Sequence, residues 1–148
     1  MIIGVPKETF PGERRVAMIP AVVPALSKLG LEVVVEAGAG FGAGFADAAY
    51  QEKGARIGSR QDALAADVLL AVRSLAASAF TPDPDLSGLR QDQVVIGFLD
   101  PLGAPRGAKA LADRGVTAFA LELVPRTSRA QAMDALSSHA TIVGYRAV

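Results

Sequence analysis

Short apolar runs alternate with segments of helical character along this chain, and this alternation constrains its fold more than any other feature. Five runs rich in Val, Ile and Leu predict strands at residues 2–5, 31–35, 68–72, 94–98 and 116–121. The segments between them predict helices at 22–29, 45–53, 61–66 and 108–113, and Pro82 and Pro84 indicate a loop. Strands that alternate with helices favour a parallel sheet covered on both faces. We therefore predict an α/β fold with a Rossmann-like parallel sheet flanked by helices, in which 116–121 is a buried strand.

Composition excludes several classes of function. Fifteen basic residues balance fifteen acidic ones, so the chain lacks the electrostatic footprint of a nucleic-acid-binding protein. It contains no cysteine and a single histidine, which argues against a metal centre. Its apolar runs are much shorter than the roughly 20 residues that a membrane span requires. The sequence thus predicts one cytoplasmic domain with no metal, no nucleic-acid partner and no direct membrane insertion.

The most polar stretch, residues 125–138, directly follows the last predicted strand. Its sequence is PRTSRAQAMDALSS, with two guanidiniums, an amide and a carboxylate among several hydroxyls. In an open α/β sheet, ligands bind outside the carboxyl ends of the strands, which makes this stretch a candidate ligand site. Alternatively it is the start of a helix, with Thr127 or Ser128 as the N-cap and Gln131, Asp134 and Ser138 on a solvated face. The pattern alone leaves both interpretations open.

A glycine series after the second predicted strand imitates a nucleotide-binding motif. Residues 38–43, GAGFGA, satisfy the pattern that places a pyrophosphate on a helix N-terminus. That motif requires an acidic residue about 20 positions later, at the end of the next strand. Asp62 instead lies in the first turn of a predicted helix. We therefore predict a structural turn in which glycines adopt positive φ angles, and a fold that lacks its own dinucleotide fingerprint.

Charged residues also follow the other predicted strands. Arg14 and Arg15 lie in the loop after the first strand, where one could bind a ligand carboxylate through a bidentate pair or both could form a surface pair. Arg73 and Asp100 directly follow the third and fourth strands, either along the edge of a cleft or as solvated loop charges. His139 has no second histidine or cysteine nearby, so we interpret it as a polar helix residue.

Three blocks of the sequence resemble the alanine dehydrogenase and nicotinamide nucleotide transhydrogenase family. The first block is GVPKE at 4–8, followed by GERRVA at 12–17 and by Pro20. The second is EAGAG at 36–40, followed by Asp47 and Tyr50. The third comprises ELVPRTSRAQ at 122–131, MDALSS at 133–138 and GYRAV at 144–148. Because the blocks cover essentially the whole chain, it is identified as a member of this family, similar to its N-terminal domain.

Within the family, the resemblance favours the transhydrogenase branch. Alanine dehydrogenases bind their keto acid with an arginine, a lysine and a catalytic histidine, and the matching positions here hold Arg15, Arg73 and Asp100. The missing imidazole removes the group that serves imine and carbonyl chemistry near neutral pH. A carboxylate in its place would repel an anionic keto acid. An alanine dehydrogenase-like amino-acid oxidoreductase and a non-catalytic packing domain are the alternatives.

The resemblance then implies a role for the polar stretch. The domain would be part of the NAD(H)-binding component of a proton-translocating NAD(P) transhydrogenase, in which hydride passes directly between two nicotinamides. NADP(H) would be held by a partner domain. Gln131 and Asp134 would act in catalysis, and Arg15 would be a substrate residue, a relic of the shared fold or an ion-pair partner. NAD(H) would be contacted by Arg126, Ser128, Arg129, Gln131, Asp134, Ser137 and Tyr145.

The resemblance also implies the surroundings of this domain. The family's NAD-binding Rossmann domain is absent from residues 1–148, and the sequence ends within a predicted helix. We therefore expect a single N-terminal domain that is a fragment of a longer chain and that binds NAD(H) weakly or not at all by itself. The expected partners are NADP-binding and membrane subunits and a second copy in a homodimer. The expected location is cytoplasmic, peripheral to the inner membrane.

Overall fold

A computed structural model describes residues 1–73 and 84–147, in which short helices alternate with parallel strands. The strands are β1 (Ile2–Val5), β2 (Glu32–Glu36), β3 (Arg56–Gly58), β4 (Val68–Leu70), β5 (Val94–Gly97) and β6 (Thr117–Ala120). The α-helices are α1 (Val23–Ser27), α2 (Asp47–Gln51), α3 (Arg60–Leu64), α4 (Pro105–Ala112) and α5 (Ala135–Ala147). Single 3-10 segments occupy Pro20–Val22, Phe41–Ala43, Pro84–Gly88, Leu121–Leu123 and Ser128–Met133. The loop predicted around Pro82 lies outside the described residues.

The six strands of the described ranges form one parallel sheet in the order β3-β2-β1-β4-β5-β6. From β1 the chain adds β2 and then β3 on one side. It then crosses to the other side of β1, where it adds β4, β5 and β6 in order. Ile3 in β1 pairs with Val68 in β4, so these two strands are direct neighbours. The strand order therefore reverses between β1 and β4, and their carboxyl ends form the topological switch point at which open α/β sheets bind ligands. The predicted Rossmann-like parallel sheet is confirmed.

The strands bury side chains in two apolar clusters, one on each face of the sheet. One cluster contains alternate residues of β1 and β2 together with the buried Tyr50 ring. The other contains Leu69, Val95 and Leu111. Because successive residues of a strand point to opposite faces, a strand covered on both faces needs apolar residues at every position. This explains why the inner strands form continuous apolar runs in the sequence.

The two edge strands differ from the prediction. β3 is not among the predicted strands, because its three residues, Arg56–Gly58, include a single β-branched side chain and therefore give no apolar run. The run at 116–121 does form β6, but the prediction that it is buried is wrong, since Thr117, Ala118 and Phe119 are exposed. β6 is the last strand of the sheet. An apolar run predicts the strand itself, but it does not predict whether both faces of that strand are covered.

Close backbone packing requires glycine at two strand positions. A Cβ atom at Gly4 would overlap with the carbonyl oxygen of Ala63 in α3, so the glycine allows α3 to lie directly on β1. A Cβ atom at Gly97 would clash with the carbonyl oxygen of Ala71 after β4. Both glycines bring neighbouring elements closer than any side chain would permit.

The glycine series at 38–44 forms a structural turn. Gly38 and Gly44 have φ angles of 74° and 86°, in the left-handed region that favours glycine. The Gly38 N–H donates to both oxygens of the Asp47 carboxylate, at 2.9 and 3.1 Å. A Cβ atom at Gly40 would clash with the buried ring of Tyr50. The glycines therefore serve packing, and a side chain of the protein already occupies the amide on which the nucleotide motif would place a phosphate.

Candidate functional site

The loops after the strands surround a cavity of about 360 Å³ at the carboxyl edge of the sheet. The loop after β1, the ends of β4 and β5, and α5 all contribute to its lining. Arg15 and His139 are polar groups in this lining, and Phe98 and Leu121 are among its apolar side chains. The cavity thus combines an apolar wall with a cation and an imidazole.

The guanidinium of Arg15 is paired with a carboxylate of the chain itself. Its Nε and Nη2 atoms donate to the two oxygens of Glu13, at 2.8 and 2.6 Å. Its Nη1 atom lies 3.4 Å from His139 Nε2. Because a guanidinium only donates, this contact is a hydrogen bond in the tautomer of His139 that has its proton on Nδ1. The bidentate face that would hold a keto acid is therefore already in use.

Acid titration tests this ion pair. Hydrogen bonding from the Arg15 side chain, helped by the N–H groups of Arg14 and Arg15, holds the pKa of Glu13 at about 2 instead of 4.5. A carboxyl whose pKa is lowered by folding contributes stability that is complete above its unfolded pKa and is lost as the pH falls through its folded pKa. We expect the free energy of unfolding to decrease from about pH 4.5 to about pH 2. Glu13→Gln should flatten this decrease, as measured by urea denaturation across the range. An identical slope in both proteins would contradict the assignment.

Arg73 and Asp100, predicted either along the edge of a cleft or as solvated loop charges, take part in local structure. The guanidinium of Arg73 stacks on the ring of Phe10, with its central carbon 3.8 Å from the ring centroid. Asp100 has a positive φ of 46°, and its carboxylate accepts the N–H of Gly103 at 3.1 Å. These contacts stabilise the loops after β1 and β5.

The predicted nicotinamide segment follows β6 as an exposed, polar loop. Arg126 precedes the 3-10 segment Ser128–Met133, and the side chains of Arg126, Ser128, Arg129 and Gln131 are all exposed. The prediction that Thr127 or Ser128 caps the helix is wrong. Thr127 precedes the 3-10 segment without a side-chain cap, and the α-helix begins later, at Ala135. The sequence signal for a helix start was therefore placed one 3-10 segment too early.

Asp134 is the residue that caps α5. Its carboxylate accepts the backbone N–H of Ser137 at 2.9 Å and the Ser137 hydroxyl at 2.6 Å. The hydroxyl hydrogen bond is the main cause that lowers the pKa of Asp134, and the Arg126 charge adds to it. Asp134 is therefore ionised at neutral pH. Because the Ser137 hydroxyl donates its hydrogen to a hydrogen bond with Asp134, its oxygen remains available as an acceptor.

The structure thus brings part of the predicted site together. Asp134 and Ser137 are hydrogen-bonded, the charge of Arg126 helps to lower the pKa of Asp134, and Gln131 precedes Asp134 in the same loop. Tyr145 lies eight residues beyond Ser137, about 12 Å further along the helix axis, and is 86% exposed. The predicted set therefore divides into a compact cluster at the start of α5 and a distant tyrosine at its end.

Two glutamates at this edge have roles that the sequence did not predict. Glu8 accepts the N–H groups of Val72 and Arg73 at 2.6 and 2.8 Å. Glu122 accepts the N–H groups of Leu99 and Asp100 through its Oε1 atom. The available signal was an acidic residue just beyond an apolar strand, where the last backbone amides require acceptors. That signal cannot identify which strand end the carboxylate reaches.

Residues 1–73 and 84–147 offer neither a metal site nor a membrane-spanning helix. No group of three or more His, Asp or Glu side chains in these ranges could hold a metal ion. No helix in the same part of the chain is long and apolar enough to cross a membrane.

A doubly wound parallel sheet with a polar loop at its carboxyl edge defines the class of Rossmann-like α/β domains. Within this class, the sequence profile of the family described as "Alanine dehydrogenase/PNT, N-terminal domain" matches residues 4–143. The chain belongs to this family, as its sequence blocks predicted.

Known relatives distinguish the two branches of the family. "NAD(P) transhydrogenase subunit alpha" of Cereibacter sphaeroides is 43% identical, and the match covers 100% of this chain and 28% of that protein. The solved transhydrogenase from Sinorhizobium meliloti is 46% identical with a TM-score of 0.89, and the match covers 98% of this chain and 42% of that one. Alanine dehydrogenase 1 of Staphylococcus aureus (strain N315) is 30% identical over 99% of this chain and 37% of that protein. The chain is closer to the transhydrogenases, as predicted, and spans less than half the length of each relative.

Proposed function

We propose that this domain forms part of the NAD(H)-binding component of an NAD(P) transhydrogenase. The observation that carries the proposal is the similarity to transhydrogenases over the whole chain, at 43% and 46% identity. The cluster of Arg126, Asp134 and Ser137 at the start of α5 supports it, because it presents both charges and hydrogen-bonding groups at the carboxyl edge of the sheet.

The chemistry of this cluster fits the carboxamide of a nicotinamide, which contains both donors and an acceptor. The Gln131 amide and the Arg126 guanidinium donate, whereas the Ser137 oxygen, oriented by Asp134, accepts. Ser128 and Arg129 extend the polar surface of the same loop, and Tyr145 is a more distant candidate contact. The residues of this chain would hold the nicotinamide end of NAD(H) in a fixed orientation.

The nucleotide itself supplies the hydride. Direct transfer between two nicotinamides needs no protein acid or base, so the task of these residues is to bind, to orient and to exclude water. Gln131 and Asp134 would have the largest effect, because they lie on the loop that contacts the ring. NADP(H) would be held by a partner domain.

The alternative function, an amino-acid oxidoreductase, needs an arginine that is available to bind the anionic substrate. Arg15, which would hold the keto acid, already donates its Nε and Nη2 atoms to Glu13. By the family resemblance, Asp100 stands at the position of the catalytic imidazole, and it binds its own loop through Gly103. An arginine whose Nε and Nη2 atoms already bind a carboxylate, and an acidic residue in place of a histidine, do not favour an anionic substrate.

The proposed assembly extends beyond this domain. The relatives are more than twice as long as the residues that match. We propose that this chain acts next to a dinucleotide-binding domain of the same subunit, in a homodimer associated with NADP-binding and membrane subunits. The domain would lie in the cytoplasm, peripheral to the inner membrane.

The proposed division of labour predicts weak binding by this domain in isolation. The described cluster contacts one end of the dinucleotide, so most of the binding free energy must come from another domain. We expect isothermal titration of residues 1–148 with NADH to give no saturable heat in the micromolar range. A micromolar dissociation constant would show that this domain holds the nucleotide by itself.

An assay of the complete enzyme with its partner subunits separates the competing functions. A transhydrogenase reduces an NADP⁺ analogue with NADH. An amino-acid oxidoreductase reduces NAD⁺ with alanine, and a packing domain leaves both rates unchanged when Gln131 and Asp134 are substituted. We expect the first result.

A further inference from the structure

At the carboxyl edge of the sheet, side-chain carboxylates accept hydrogen bonds from backbone N–H groups that follow four of the described strands. The carboxylate comes from a different segment each time, so every contact joins two segments of the chain. The donor and acceptor pairs are Lys7 with Glu36, Gly38 with Asp47, Val72 and Arg73 with Glu8, and Leu99 and Asp100 with Glu122. The carboxylates of the protein itself therefore already provide negative charge at this edge.

The Glu8 carboxylate differs from the others in its position at the switch point. Glu8 lies in the loop after β1 and reaches the end of β4, the strand at which the sheet order reverses. Its Oε1 atom accepts the N–H of Val72 at 2.6 Å, and its Oε2 atom accepts the N–H of Arg73 at 2.8 Å. Two consecutive N–H groups that each bind one oxygen of the same carboxylate form a bidentate anion site.

We propose that the switch point of this domain is a carboxylate-binding site and that Glu8 fills it as an internal ligand. The place at which a doubly wound sheet normally receives a ligand is then closed to external anions by the chain itself. Glu8 also fixes the loop after β1, which contains Glu13 and Arg15, to the end of β4. This inference concerns the site alone and does not depend on which hydride acceptor the enzyme uses.

A second contact between the same two segments supports the proposal. Arg73, whose N–H binds Glu8, also stacks its guanidinium on Phe10 in the loop after β1. The loop is thus attached to the end of β4 by one polar and one aromatic contact. Removal of the Glu8 carboxylate would leave the aromatic contact in place, so the two amides would keep their positions and remain able to bind an anion.

Chemical rescue tests the site directly. Glu8→Ala removes a methylene and a carboxylate, which acetate replaces atom for atom. We expect Glu8→Ala to lower the melting temperature by about 10 °C, because two amides lose a charged acceptor. Sodium acetate should recover most of this loss, compared with sodium chloride at equal ionic strength. Wild type and Glu52→Ala, which alters an exposed glutamate at the end of α2, should show no difference between the two salts.

Each other outcome overturns the proposal. Equal melting temperatures of Glu8→Ala in acetate and in chloride would mean that the amides form no carboxylate site. An equal gain in all three proteins would reveal a general salt effect. If Glu8→Ala does not fold in chloride, refolding in acetate should restore its far-ultraviolet circular dichroism, and failure to do so would exclude the site. An enzyme inactive with NADP⁺ would refute the proposed function but would leave these results unaffected.

Discussion

Gln131→Ala in the complete enzyme is expected to slow hydride transfer from NADH to an NADP⁺ analogue by about 100-fold, the effect of misplacing a reacting ring by about 1 Å. The dissociation constant of NADH should change much less, because in the proposed arrangement another domain holds the rest of the nucleotide. Stopped-flow measurement of single turnover gives the transfer rate, and equilibrium dialysis gives the affinity. The reason for the difference is that orientation of the nicotinamide matters more in the transition state than in the ground state.

A matched substitution provides the control for this result. Gln61 is an exposed glutamine in α3, away from the loop after β6, so Gln61→Ala should change neither rate nor affinity. If Gln131→Ala leaves turnover unchanged, Gln131 has no part in the mechanism. If the affinity falls while the rate at saturating nucleotide stays the same, the residue contributes uniform binding and does not orient the ring.

A large loss of stability is expected from Gly4→Ala. The new methyl group would overlap with the Ala63 carbonyl oxygen, so α3 must move away from β1. Overpacking of this kind costs about 3 kcal/mol and should lower the melting temperature by about 10 °C. Calorimetry of the purified protein measures both quantities.

Gly144→Ala distinguishes a steric cause from a general effect of alanine. Gly144 lies in α5, and a Cβ atom there would meet no heavy atom of the described chain within 4 Å. Alanine is the better helix former, so this substitution should raise stability by about 0.5–1 kcal/mol. Similar losses in both variants would contradict the close approach of α3 to β1.

The inner strands were predictable because their burial on both faces leaves a direct trace in the sequence. The runs that form β1, β4 and β5 are continuous and apolar, and the structure confirms all three as strands. β3 gave no such trace, because a three-residue edge strand is stabilised by its pairing with β2 instead of by its own composition. The exposure of β6 could not be predicted either, since the sequence shows that a residue is apolar but not what covers it.

The candidate site, too, was predictable only in part. The polar loop was predictable from its position after a strand, and the glycine turn from the missing acidic residue. The carboxylate contacts were not, because Glu8 and Val72 are 64 residues apart in the chain, and no local pattern records which amides a side chain will reach. The pairing of Arg15 with Glu13 was left open for a related reason, since a surface pair and a ligand site use the same residue types.

Isotope transfer in the complete enzyme tests the central claim most directly. NADH labelled with deuterium at the transferable position of its nicotinamide C4 is mixed with NADP⁺ in ordinary water, and the NADPH formed is analysed by mass spectrometry. A transhydrogenase built around this domain should deliver the deuterium to NADPH without dilution by solvent hydrogen. NADPH that contains solvent hydrogen, or no NADPH at all, would contradict direct transfer at the loop that joins β6 to α5.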